Sequence, residues 1–152
     1  MPFRGTLIAL SIATLLAAPA VADPIGTHGP SAEQTEEAIA FRRLQSELMV
    51  AALACHDSRH RTHYNTFVTR FRPMLAINAR VLKSHFRQLH GPMAQKRLDA
   101  FITGLANEAS LSSMGDVHFC VNALARLEAI NQTPHNQTAV VILEEADLAI
   151  ER

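Results

Sequence analysis

The stretch SAEQTEEAIAFRRLQSELMVAALAC, residues 31–55, decides the fold class. Its apolar side chains recur at steps of three and four residues, the spacing of a helix face that packs against another helix. These side chains are Phe41, Leu44, Leu48, Ala51 and Cys55. Acidic residues crowd the first turn, where negative charge favours a helix N-terminus. The stretch predicts a first helix from about Ser31 to about Cys55.

A second helix is predicted from about Tyr64 to His90, after a polar turn over Asp57–His63. Its core positions keep one helical phase and are Tyr64, Val68, Phe71, Leu75, Leu82, Phe86 and Leu89. Pro73 interrupts the pattern and removes a backbone N–H, but the apolar stripe continues in phase beyond it. We therefore expect a helix that is kinked or restarted at Pro73.

Three more helices complete the predicted fold. Gly91-Pro92 ends the second helix and starts a third over about Pro92–Ser110, and a turn over Ser112–Gly115 follows. A fourth helix over Asp116–Ile130 has Asp116 as its cap and places Val117, Cys120, Leu124 and Leu127 in the core. A short helix is predicted over Thr138–Glu151. Since the connections are short, the sequence predicts an all-α, four- to five-helix up-and-down bundle.

The N-terminus has the pattern of a secretory signal peptide over residues 1–22. A positive charge at Arg4 precedes an apolar run from Thr6 to Ala18, and Ala20-Val21-Ala22 forms a small-residue cleavage site. The run is too short to span a bilayer, which takes about 20 residues. We expect a flexible leader over residues 23–30, a single helical domain over 31–152, a periplasmic or secreted location, and no transmembrane span in the mature protein.

The sequence has two cysteines, Cys55 and Cys120, and both follow the predicted cleavage site. Export takes a protein into an oxidising compartment, where paired thiols form disulfides. Helical phase places both cysteines on inward faces. We therefore predict a disulfide that joins the first helix to the fourth; the alternative is a reactive or metal-binding thiol pair, although the two do not form a Cys-x-x-Cys motif.

Three histidines, His56, His60 and His63, recur at spacings of four and three residues. They would share one face if the first helix continued through the turn, and three imidazoles suit copper, nickel or zinc. The neighbouring Arg59 and Arg61 repel a cation, so histidines of a solvated loop are the competing interpretation. We keep a periplasmic metal-binding protein as the alternative function and otherwise expect no cofactor.

Charge is segregated along the chain, although the formal net charge is +0. Residues 58–98 hold nine basic side chains and no acidic one, whereas the segments before and after are acidic. Four of the cations fall within roughly 80° of arc on an ideal helix; they are Arg72, Arg80, Lys83 and Arg87 and are named here the basic face. Either these cations pair with acidic neighbours inside the bundle, or they bind an anionic envelope component or an acidic protein.

Catalytic and nucleic-acid signatures are missing from the sequence. It has no Gly-x-Ser-x-Gly elbow and no glycine-rich phosphate loop, and the adjacent Ser84 and His85 point in different directions on a helix. The absence of Trp and the single Tyr give little for bases to stack on. We expect a non-enzymatic interaction or envelope-associated protein that does not bind nucleic acid.

Two stretches carry a family resemblance, CHDSRHRTHYNTFVTRFRPMLAINARVLKSHFRQLHG (residues 55–91) and ITGLANEASL (residues 102–111), followed by Phe119-Cys120. Over about residues 38–125 the chain resembles an uncharacterised family of small exported bacterial helical proteins with one cysteine pair. The resemblance implies export, a helical fold and a disulfide. It implies no activity and no site.

Overall fold

The computed structural model describes residues 29–134, which form five α-helices and one 3₁₀ turn and contain no β-strand. The elements are α1 (Ala32–Ala54), α2 (Arg59–Arg70), α3 (Arg72–His90), a 3₁₀ turn (Gly91–Met93), α4 (Ala94–Gly115) and α5 (Phe119–Gln132). The predicted all-α bundle is confirmed. The predicted signal peptide, leader residues 23–28 and the predicted helix over 138–151 lie outside the described residues. No helix in the described part is both long and apolar enough to cross a membrane.

The predicted first helix is confirmed as α1. A capping box fixes its start: the backbone N–H of Gln34 donates to Ser31 Oγ at 3.2 Å, and the backbone N–H of Ser31 donates to Gln34 Oε1 at 2.9 Å. The helix ends where Cys55 takes an extended conformation. The predicted core positions Leu44, Leu48 and Ala51 are fully buried.

The predicted second helix is two helices, α2 and α3, and it starts earlier than expected. The prediction of a turn over Asp57–His63 is wrong beyond Ser58, because α2 begins at Arg59. Asp57 Oδ1 accepts a hydrogen bond from the backbone N–H of Arg59, and this contact favours the start of the helix at that residue. Phe71 separates the two helices, and Pro73 lies in the first turn of α3, where its missing N–H is tolerated. The helix therefore restarts before Pro73, and Phe71 is buried.

The turn predicted over Ser112–Gly115 and the cap predicted at Asp116 are also wrong. The α4 helix continues to Gly115, and α5 begins only at Phe119. Asp116 Oδ1 instead accepts the backbone N–H of His118 at 2.8 Å, and this local turn occupies the residues that were assigned to the helix start. Val117, predicted in the core, is consequently 88% exposed.

The interior consists of two apolar clusters stacked along the bundle. The larger one joins α1, α2 and α5 to Ala109 of α4 and contains Leu44, Leu48, Phe67, Phe71, Leu127 and Ile130 among its other buried members. The smaller one joins the start of α1 to α3 and α4 and consists of Ala38, Val81, Leu82 and Leu98. Asn78 Nδ2 donates to the Ala38 carbonyl oxygen at 2.7 Å and fixes the register of α3 against α1. The other side of α3 is left at the surface.

The predicted disulfide between Cys55 and Cys120 is present, with Cα atoms 5.8 Å apart. It joins the end of α1 to the first turn of α5, which corresponds to the fourth helix predicted from the sequence. It closes a loop with a sequence separation of 65, and this loop contains α2, α3 and α4.

Candidate anion-binding face

The basic face lies along α3, and its four side chains Arg72, Arg80, Lys83 and Arg87 are all exposed. They extend over 15 residue steps, about 22 Å of helix. The buried positions of the same helix, Asn78, Val81 and Leu82, lie between them in sequence and face α1 and α4. The same amphipathic pattern that packs α3 therefore displays its cations to solvent.

None of the four cations forms an ion pair with any residue between 29 and 134. Three carboxylates of the described helices pair with other cations: Glu47 with Arg126 at 3.1 Å, Glu108 with Arg43 at 2.5 Å, and Glu128 with Arg59 and His63 at 3.7 Å. Of the two interpretations left open by the sequence, pairing within the bundle is not what the described residues show. The four cations form a positive surface without a direct carboxylate partner in the described part of the chain.

The positive surface continues onto the start of α4. Lys96 and Arg97 are exposed there, also without an ion pair in the described part of the chain. Between the last turns of α3 and this start lies a small open pocket of about 180 Å³, lined by Lys83, Arg87, Gly91, Pro92, Ala94, Gln95 and Leu98. Two cations of the basic face thus contribute to one concave site.

Sequence reasoning missed this pocket and the surface around it. Leu89, assigned to the core by its helical phase, is 61% exposed, because α3 extends beyond the smaller core cluster near its end. The signal available in the sequence was the Gly91-Pro92 pair directly after Arg87 and Leu89, which marks a turn beside the cations.

The three predicted metal-ligating histidines do not converge. His56 is exposed in the turn, His60 is buried, and His63 Nε2 lies 3.7 Å from Glu128 Oε1. His60 Nδ1 lies 2.9 Å from the Asp57 carbonyl oxygen and His60 Nε2 lies 2.8 Å from the Cys120 carbonyl oxygen. A metal at either nitrogen of His60 would displace one of these contacts. The three-histidine site is therefore not formed in this structure.

Among residues 29–134, one set of three side chains has donor atoms close enough to share an ion: Cys55, His60 and Cys120, within 4.8 Å of one another. Both sulfur atoms of this set are bonded to each other in the disulfide, so neither is a thiolate ligand. These residues are better described as a structural corner that ties α2 to α5.

The same corner carries the Asp57–Arg59 contact. The Arg59 guanidinium donates to the Asp57 carboxylate at 2.9 Å, and this hydrogen bond, with that from the Arg59 backbone N–H, holds the pKa of Asp57 below its ordinary value. Both groups are at the surface. Their interaction orders the turn before α2 and offers no catalytic arrangement.

Comparison of the chain with models of known protein families, with curated proteins and with solved structures finds no match. The resemblance of residues 38–125 to a family of small exported helical proteins therefore stays a prediction.

Proposed function

We propose that this protein is an exported, non-enzymatic interaction protein that binds an anionic component of the cell envelope through the basic face of α3. The observation that carries the proposal is the exposure of Arg72, Arg80, Lys83 and Arg87 with no acidic partner among the described residues. The signal-peptide pattern of residues 1–22 supports export, and the cysteine pair suits an oxidising compartment.

A surface of this kind attracts anionic partners by long-range electrostatics. Each Lys or Arg close to an anionic lipid surface contributes about 1 kcal/mol to binding, and the attraction weakens over a Debye length of about 8 Å at physiological salt. Four cations spread along one helix side, with Lys96 and Arg97 beside them, give affinity without a deep pocket. No catalytic group lies among them, which supports a binding role.

The test is sedimentation of the mature protein with vesicles of phosphatidylglycerol and phosphatidylcholine in equal parts, with pure phosphatidylcholine as the uncharged reference. We expect binding to the anionic vesicles only, and loss of binding as salt rises. The variant R80Q/K83Q/R87Q should bind about 100-fold more weakly, since three cations contribute about 3 kcal/mol.

The matched control is R43Q/R59Q/R61Q, which removes the same charge from α1 and α2, outside the basic face. It should retain most of the wild-type affinity if the position of the cations matters. Equal losses in the two triple variants would show that overall charge drives binding, and the basic face would then not be the binding surface.

A further inference from the structure

The turn between α3 and α4 presents apolar side chains to solvent at the end of a helix pair. Leu89 is 61% exposed and Met93 is 50% exposed, and Pro92 between them is exposed as well. Gly91 adopts a φ of +50°, a conformation that other residues rarely take, and so allows α3 to end and the 3₁₀ turn to begin at once. These three apolar residues, Leu89, Pro92 and Met93, are named here the apolar tip.

Cations surround the apolar tip in sequence on both sides. Lys83 and Arg87 precede it on α3, and Lys96 and Arg97 follow it on α4, all exposed and all without an ion pair between residues 29 and 134. The carboxylate closest in sequence, Asp99, accepts a hydrogen bond from Gln95 Nε2 at 2.8 Å and is not among the residues that line the pocket. The apolar tip therefore has cations on both sides in sequence that are unpaired among the described residues.

The pocket beside the tip suits a small anion attached to a larger molecule. At about 180 Å³ it is smaller than the pockets of about 300–1,000 Å³ that enclose whole small molecules. Lys83 and Arg87 give it positive charge, and Leu98 is the buried apolar residue of its lining. The adjoining α4 has no acidic residue in its first turn and no side-chain cap, so its positive dipole end is not neutralised.

We infer that the apolar tip docks onto a membrane surface rich in anionic phospholipid, with a lipid phosphate in the pocket between Lys83 and Arg87. This inference rests on the proposed function and adds the place and the chemistry of the ligand. A lipid interface offers phosphates at its surface and hydrocarbon just below, which matches cations around an apolar centre. Binding to an acidic protein would explain the exposed cations but would give Leu89 and Met93 no role.

The opposite end of the bundle is a weaker candidate for the same docking. It exposes more apolar side chains, namely Leu53, Leu111, Met114, Val117 and Val121. Its cation Arg59 is paired with Asp57 and Glu128, however, and Glu108 and Asp116 lie in the same segments, whereas the cations beside the apolar tip have no ion pair among residues 29–134. The 22 residues of α4 separate the two ends by about 33 Å. One end therefore serves as a control for the other.

Because the chain contains no Trp, a single introduced Trp reports the depth of each end. The variants M93W and V117W are mixed with vesicles of equal parts phosphatidylglycerol and phosphatidylcholine. We expect the fluorescence of M93W to shift to shorter wavelength on binding, because its indole enters an apolar layer, and that of V117W to stay unchanged. A shift in V117W alone would place the docking surface at the other end and overturn the inference.

Two pairs of charge variants test the pocket. The variant K83Q/R87Q should bind the same vesicles about 30-fold more weakly. The matched pair R72Q/R80Q, on the same helix but outside the pocket, should lose less affinity. Equal losses would show that the pocket is not the phosphate site and would leave the proposed function unaffected.

The variant L89Q/M93Q separates insertion from charge. It should bind about tenfold more weakly while its affinity keeps the same dependence on salt, because its cations are intact. Wild-type affinity in L89Q/M93Q would overturn docking by the tip. Salt-sensitive binding to immobilised polyglutamate together with no binding to vesicles would also overturn it, although the proposed anionic partner would then be a protein. Binding to neither probe would end both proposals.

Discussion

Removal of the disulfide should cost this protein a large part of its stability. The perturbation is the double variant C55A/C120A, which keeps both positions small and apolar. The bridge joins the end of α1 to the start of α5 across three helices, so its loss frees the loop that contains α2, α3 and α4. We expect the folded structure to stay the same, because the main effect lies in the unfolded chain.

The magnitude follows from the length of the loop. For a sequence separation of 65, the chain-entropy relation gives about 4 kcal/mol at 25 °C. The free energy of unfolding of a small protein is about 5–15 kcal/mol, so a loss of about 4 kcal/mol removes roughly a third of it or more in most cases. With a denaturant slope of about 2 kcal/mol per molar urea, the unfolding midpoint should fall by about 2 M.

The assay is urea unfolding of the mature protein followed by far-ultraviolet circular dichroism, with the wild type measured in the presence and absence of a dithiol reductant. Reduced wild type and C55A/C120A should unfold at similar midpoints. A loss below about 1 kcal/mol in both would refute the loop-entropy reasoning and show that the unfolded chain is already restrained. Alkylation and mass measurement verify that the oxidised sample carries the bridge.

Three further changes test the packing of the larger cluster and the cap of α1 by the same unfolding assay. Phe67→Ala empties a fully buried site and should cost about 3–5 kcal/mol, whereas a cost near 1 would mean that the core collapses around the gap. Glu47→Gln leaves the buried Arg126 guanidinium without its carboxylate and should cost about 3 kcal/mol, most of it recovered in E47L/R126M; an unrecovered loss would contradict the pairing. Ser31→Ala removes the hydroxyl that caps Gln34 and should cost about 1 kcal/mol, and no change would show that the capping box contributes nothing.

The helices that the sequence predicted well are those with a simple apolar face. The positions Leu44, Leu48 and Ala51 form an uninterrupted seam, so the extent of α1 and the inward direction of Cys55 followed from spacing alone. The helix boundaries that were predicted wrongly are those set by side chains that form hydrogen bonds with the nearby backbone. Asp57 starts α2 early and Asp116 delays α5, and neither effect is visible in apolar periodicity.

The sequence predicted which cations share one side of α3, but it did not predict whether they are paired or that a pocket lies beside them. The phase of Arg72, Arg80, Lys83 and Arg87 on one helix side could be read directly, because it depends only on local geometry. Whether acidic side chains pair with these cations depends on how helices distant in sequence pack, and in the structure Glu47, Glu108 and Glu128 pair with other cations. The pocket needed the relative position of two helices and the turn between them.

Export and binding through the basic face are tested together by fractionation of cells that produce the full chain, for the wild type and for R80Q/K83Q/R87Q. We expect an exported protein that begins at Asp23 and sediments with membranes at low salt, is released at high salt, and is found in the soluble fraction when the three cations are removed. A full-length protein that stays in the cytoplasm, or membrane association that ignores both salt and the three cations, would contradict this expectation.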